Sequence, residues 1–227
     1  MSDNEDNERT FDQKSQLDHV KLRPGMYIGT VNLHTKSMHI LDENIDKFLP
    51  IDLEFSPGTI KIFDEILVNA IDQHTNFSDK VKNIYINFDM ETGIISVKND
   101  GPGISLVKVE TINDGKMYKA QAVFTQFLAG DNFKDSPDKI TGGMNGLGST
   151  CAVIFSDVFT VETYDDKKGS LYEQSFRDSM TIIEPPVITK QDDKGYTKIT
   201  FKPNYKALGY KEYNSEVGKV IYKLIEM

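Results

Sequence analysis

The stretch PGTIKIFDEILVNAIDQ, residues 57–73, constrains the fold more than any other part of this chain of 227 residues. Phe63, Ile66, Leu67, Ala70 and Ile71 recur at i, i+3, i+4, i+7 and i+8, the spacing of one helical face. Ser56 before Pro57 supplies a start signal, a capping residue followed by a proline at the first helical position. Within this greasy helix Glu65, Asn69 and Asp72 fall at i, i+4 and i+7, on a polar stripe about 60° wide and roughly opposite Phe63. That stripe is either the solvated side of an amphipathic helix or a face turned to a ligand. Asn is a mediocre helix former, so its place among better formers tips the balance toward a role.

The segments around the helix define its partners. Ile84, Ile86 and Phe88 alternate with polar residues, ETG marks a turn, and IISV returns as a second strand, so a β-hairpin delivers the chain into NDGPGI. KAQAVFTQFLAG is predicted to be a helix ending near Gly130, and NGLGSTCAVIF a glycine loop running into another. FTVETY, SLYEQSF, MTIIE and TKITF come next as strands separated by turns, and KEYNSEVGKVIYKLIEM as a last helix. Hairpins in a run, with helices gathered elsewhere, indicate an α+β fold: a two-layer sandwich of a mixed, mainly antiparallel sheet with helices on one face. Residues 1–13 are acidic and nearly free of apolar side chains, which predicts a disordered leader to one domain over 14–227.

With 38% apolar residues, the chain can build a real core. Its one cysteine, Cys151, rules out an internal disulfide framework and suits a reducing compartment or a buried small hydrophobe. No apolar run approaches the roughly 20 residues that span a bilayer, and no signal peptide opens the chain, so an intracellular protein is expected. A net charge of −9 argues against nucleic-acid binding by the net field of this chain.

Two loops carry further chemistry. In NDGPGI the glycines permit close backbone approach to a ligand, and Asp100 can accept a hydrogen bond from a base amino group; alone, the same residues also make a plain turn. GGMNGLG places four glycines in seven residues before a helix, where backbone N–H groups can cradle phosphates.

Taken in order, FDEILVNAIDQ, NDGPGI and GGMNGLGS resemble the three motifs of the ATP-binding (Bergerat-type) fold shared by DNA gyrase, heat-shock chaperones, histidine kinases and mismatch-repair proteins. QLDHVKLRPGMYIGT, PGTIKIFDEILVNAIDQ, ITGGMNGLGS, FTVETY and TKITFKP resemble more narrowly the ATPase region of type IIA DNA topoisomerases of the eukaryotic kind. The resemblance implies that Glu65 is the general base for a water attacking the γ-phosphate and that Asn69 binds Mg²⁺, with Asp72 beside them. It implies that Asp100 reads adenine, that Gly103 and Ile104 line its pocket, and that Thr197 supports the base. Asn132 matches a ribose and phosphate contact. Gly142, Gly143, Asn145, Gly146, Leu147 and Gly148 match the phosphate loop, with Ser149 and Thr150 after it. Tyr27 resembles an arm tyrosine that reaches a partner's nucleotide, or else is a packed aromatic.

The resemblance thus implies an ATP- and Mg²⁺-dependent gate of a DNA topoisomerase. It would close as a homodimer through its N-terminal arm and act on double-stranded DNA in a longer enzyme, in the nucleus or another DNA-containing compartment, or a virion or viral factory if virus-encoded. A lid is expected over roughly 129–148, and the chain by itself is expected to bind ATP with weak or no turnover. The departures are Thr150 where the family usually has lysine, Met144 where arginine is common, and Gly130-Asp131 where two serines stand. They leave room for a nucleotide-sensing dimerisation module, or for a mismatch-repair or chaperone ATPase of the same superfamily.

Overall fold

The computed structural model describes residues 14–42, 46–112, 114–127 and 146–227. The chain opens with α1 (Gln16–Leu22) and a 3-10 turn (Pro24–Met26), then β1 (His34–Asp42) and β2 (Lys47–Phe55). Next come α2 (Pro57–Asn76), β3 (Ile84–Asp89), β4 (Ile94–Asp100), β5 (Lys108–Thr111), β6 (Gly115–Tyr118) and α3 (Lys119–Thr125). After α4 (Gly148–Ile154) come β7 (Ser156–Asp165), β8 (Ser170–Arg177), β9 (Ile182–Ile183), β10 (Val187–Lys190), β11 (Tyr196–Pro203) and α5 (Ser215–Ile225). No described helix is long and apolar enough to cross a membrane.

The main sheet runs β10-β8-β7-β11-β4-β3, with β9 also on β8, and every described pairing is antiparallel. α2 packs on β4 and α4, and α4 on β7. The α+β layering expected from the sequence is therefore present. Tyr164, Tyr172, Phe159, Phe176 and Phe201 are fully buried.

α2 extends the predicted helix to Asn76, and its buried face is rotated from the expected one. Ile62, Phe63, Ile66 and Ala70 are buried, whereas Ile71 is 44% exposed. Ser56 has the extended backbone of a cap but makes no side-chain capping bond. α3 stops at Thr125, five residues before the predicted end. In MTIIE only Ile182 and Ile183 form a strand, because Asp178, Ser179 and Met180 adopt left-handed φ of 51°, 53° and 66°. The hairpin of β1 and β2 forms a separate sheet with a small core of Ile40, Leu53, Phe55 and Leu224.

Candidate nucleotide-binding site

Alternation along β4 explains what the site contains. Ile95, Val97 and Asn99 are buried and their neighbours are not, so β4 turns its odd-numbered residues toward the helices. At that end of the sheet a cavity of about 950 Å³ opens between α2, β4, the 102–105 segment, α3 and the start of α4. Its walls include Tyr27, Glu65, Asn69, Asp72, Asn99, Gly103, Ile104, Gly146, Leu147, Gly148, Ser149 and Thr197. The polar stripe of α2 is thus turned to a concavity, and Asp72 is only 6% exposed.

Two pairs tie α2 to α4. The Asn69 side-chain amide donates to Ser149 Oγ at 3.0 Å, which leaves Oδ1 as its carbonyl acceptor. Glu65 lies so close to Gly148 that a Cβ there would overlap the carboxylate. Its other oxygen, Oε1, is 2.5 Å from Lys61 Nζ, and this contact is the main reason the Lys61 ammonium holds its proton beyond the usual lysine range. Cys151, one turn into α4, is 1% exposed, and burial pushes its thiol up to about 12.

At the sheet end, Thr163 of β7 is completely buried; its hydroxyl accepts from Ile104 N at 2.8 Å and donates to the Tyr196 carbonyl at 3.0 Å. A hydroxyl has one proton, so in the 3.0 Å contact between Thr163 and Thr197 it is Thr197 that donates. Buried Asp165 accepts from Leu106 N at 2.9 Å, and Lys168 Nζ donates to the Leu106 carbonyl at 3.0 Å. These bonds clamp the 103–106 segment against β7. Gly103 approaches the Tyr164 carbonyl so closely that a Cβ would overlap it.

Three of the expected site residues have surroundings that the sequence did not announce. Asp100, expected to read adenine, faces the other way. Its Oδ1 accepts from Lys82 N at 2.7 Å and Asn83 N at 3.0 Å, and its Oδ2 from Asn83 Nδ2 at 2.8 Å. Burial pushes this carboxyl up, but the bonds from Asn83 and Lys82 outweigh it and hold it below the usual range. Asn99, 4% exposed, takes the cavity position instead, and its Nδ2 donates to the Asp100 carbonyl at 2.9 Å. Thr150, placed next to the phosphate loop, is fully buried, and its hydroxyl donates to the Gln126 carbonyl at 3.4 Å. Tyr27, assigned to a partner's nucleotide, lines this chain's own cavity and shares a 2.8 Å hydrogen bond with His19 Nδ1. Asn132, Gly142, Gly143 and Asn145, like most of the expected lid and the acidic leader, lie outside the described residues.

Sequence reasoning misses Asn99, Lys61, Thr163 and Asp165. The alternation Ile95, Val97, Asn99 carries a signal for the first, and the i,i+4 spacing to Glu65 carries one for Lys61; Thr163 and Asp165 depend on pairings that their own segments do not announce.

No protein-family model matches the chain. It is 38% identical over 216 residues to DNA topoisomerase 2 of Saccharomyces cerevisiae, which covers 95% of this chain and 15% of that protein. It is 33% identical over 229 residues to DNA topoisomerase 2 of Plasmodium falciparum, covering 99% and 16%. Among solved structures, the ATPase region of Saccharomyces cerevisiae topoisomerase II superposes with a TM-score of 0.82 at 38% identity, over 93% of this chain and 56% of that one. The ATPase and transducer domains of DNA topoisomerase II from Balamuthia mandrillaris superpose with 0.83 at 34% identity, over 93% and 55%. The chain therefore spans about a sixth of these curated relatives and just over half of the solved ones. With near-complete coverage of this chain in both sequence and structure, it belongs to the eukaryotic DNA topoisomerase 2 family and corresponds to the ATPase region of those proteins.

Proposed function

We propose that this chain binds ATP with Mg²⁺ in the cavity between α2, β4 and α4 and hydrolyses it. The observation that carries the reading is the convergence of Glu65, Asn69, Asn99 and the Gly146–Ser149 turn on one cavity. Asn99 presents a fixed acceptor where an adenine amino group would pair, supported by Thr197 on the adjoining strand. The backbone from Gly146 into α4 supplies N–H groups toward phosphate oxygens. Glu65 orients and deprotonates the attacking water.

A divalent ion fits the residues present. Asn69 offers a hard carbonyl oxygen, and no cluster of three or more His, Cys, Asp or Glu suited to a metal exists among the described residues. Few protein ligands suit Mg²⁺, which keeps several waters and is held largely by substrate phosphates. When bound, the ion would neutralise the charge that develops on the phosphates. Asn69 would hold it, Ser149 would fix the Asn69 rotamer, and α2 would exclude bulk water from that side.

The relatives are named topoisomerases, so in a longer protein the nucleotide would act as a clamp. ATP would bind the closed homodimer more tightly than the open one and so drive closure around a DNA duplex. Residues 14–227 would then form the nucleotide-binding unit behind an acidic leader. Titration calorimetry with a non-hydrolysable ATP analogue and Mg²⁺ is expected to show one site per chain. Absence of binding with and without Mg²⁺ would overturn the reading.

A further inference from the structure

We propose that Lys61 is a positioning residue for Glu65, holding the carboxylate in the orientation from which it addresses a water in the cavity. The proposal rests on the reading of Glu65 as general base.

The Glu65 carboxylate is gripped from two sides. Lys61 Nζ sits 2.5 Å from Oε1, and Oε2 packs on Gly148, where the missing side chain leaves it room. Lys61 also lies 3.6 Å from Asp64 Oδ2, and both Lys61 and Glu65 line the cavity.

Helix stability does not account for this pair. Pro57 opens α2, so Lys61 sits in its second turn, beyond the first turn over which the helix dipole acts, and the dipole does not explain the pair. A lysine four residues before a glutamate is also the weaker order for a helical ion pair. The two side chains are 43% and 24% exposed, and pairs at such exposure contribute little to stability. Orientation is what the pair does supply. A glutamate has three rotatable bonds, and a general base works only within hydrogen-bond reach of its water. A lysine is charged at neutral pH with or without a partner, and Glu65 raises Lys61 further, so the grip persists there.

The test is steady-state ATP hydrolysis by the intact protein, comparing wild type with K61M, K61R and E65Q, with thermal melts as a check on folding. K61M is expected to lower kcat about tenfold, a fraction of the roughly 10²–10⁴ that a general base contributes, while KM for ATP stays within about twofold. K61R, which restores a cation, should recover most of the lost kcat. E65Q should abolish turnover. A raised KM with unaltered kcat in K61M would make Lys61 a phosphate contact and overturn the proposal, as would K61R no better than K61M. Wild-type kinetics in K61M beside an inactive E65Q would sink the role of Lys61 alone; turnover in E65Q would sink the assignment of the base itself. K61Q serves the same comparison if K61M fails to fold.

Discussion

Asn99 on β4 and Thr197 on β11 are direct cross-strand partners, and both face the cavity, while Asp100, one residue on, faces the 82–83 loop. The Asn99 amide donates one N–H to the Asp100 carbonyl, which fixes its orientation, and its oxygen is the acceptor it offers a ligand. Asn99→Ala should therefore weaken binding of an ATP analogue about 10- to 100-fold, the effect of losing one buried hydrogen bond of about 1–3 kcal/mol. Asp100→Ala should change affinity less than about twofold and instead lower the melting temperature by a few degrees, through lost bonds to the 82–83 backbone. Calorimetry and melting curves on both variants distinguish them, and the opposite pattern would restore Asp100 as the base reader.

How much of this is legible in the sequence depends on the range of each interaction. The 3.6-residue period identifies α2, and alternation identifies the β3-β4 hairpin, because both signals are local. The rotation that buries Ile62 and exposes Ile71 depends on how α2 meets β4 and α4, which no window of α2 contains. Matching NDGPGI as a word selects Asp100, whereas carrying the β4 alternation one step further selects Asn99. The clamp of Thr163 and Asp165 on residues 104 and 106 joins positions 59 apart, and nothing near either residue announces it. β10, with all four residues exposed, has no apolar alternation to detect.

Gly148 is a glycine because Glu65 fills the space a side chain would need. Gly148→Ala should destabilise the fold by about 1–3 kcal/mol through overpacking, and reduce ATP turnover more than nucleotide affinity because the carboxylate is displaced. In the Glu65→Ala, Gly148→Ala double variant the overlap is gone, so stability should return toward wild type while turnover stays lost. Urea midpoints on wild type, Gly148→Ala, Glu65→Ala and the double variant decide it. Additive destabilisation in the double variant would show that the two residues do not compete for space.

Gly103 faces backbone rather than a movable side chain. A Cβ there meets the Tyr164 carbonyl, which is held in the β7 and β11 pairing and cannot swing aside. Gly103→Ala should cost about 3 kcal/mol, the upper end for overpacking, and lift the segment that Ile104 N ties to Thr163. The measurement is hydrogen exchange at Ile104 and Leu106, expected to accelerate in the variant. Protection equal to wild type would mean that the segment is held without the close approach at 103.

Alkaline pH should unfold this protein well before its arginines matter. Burial pushes the Cys151 thiol up to about 12 and raises the hydroxyls of Tyr172 and Tyr205 above their ordinary range. In the unfolded chain the thiol ionises near about 8.5 and the phenols near about 10. Above those values the unfolded state binds fewer protons than the folded one, so stability falls as pH rises. The contribution is complete below about pH 8 and is lost progressively from there to about pH 12, at up to about 1.4 kcal/mol per pH unit for each group past its unfolded value. Urea midpoints at pH 7.5, 9 and 10.5 should decline in that order. Tyr205→Phe, which removes one of these hydroxyls together with its 3.0 Å bond to the Gly93 carbonyl, should start lower at pH 7.5 but decline less steeply above pH 10. A flat profile from pH 7.5 to 10.5 would contradict the burial of these groups.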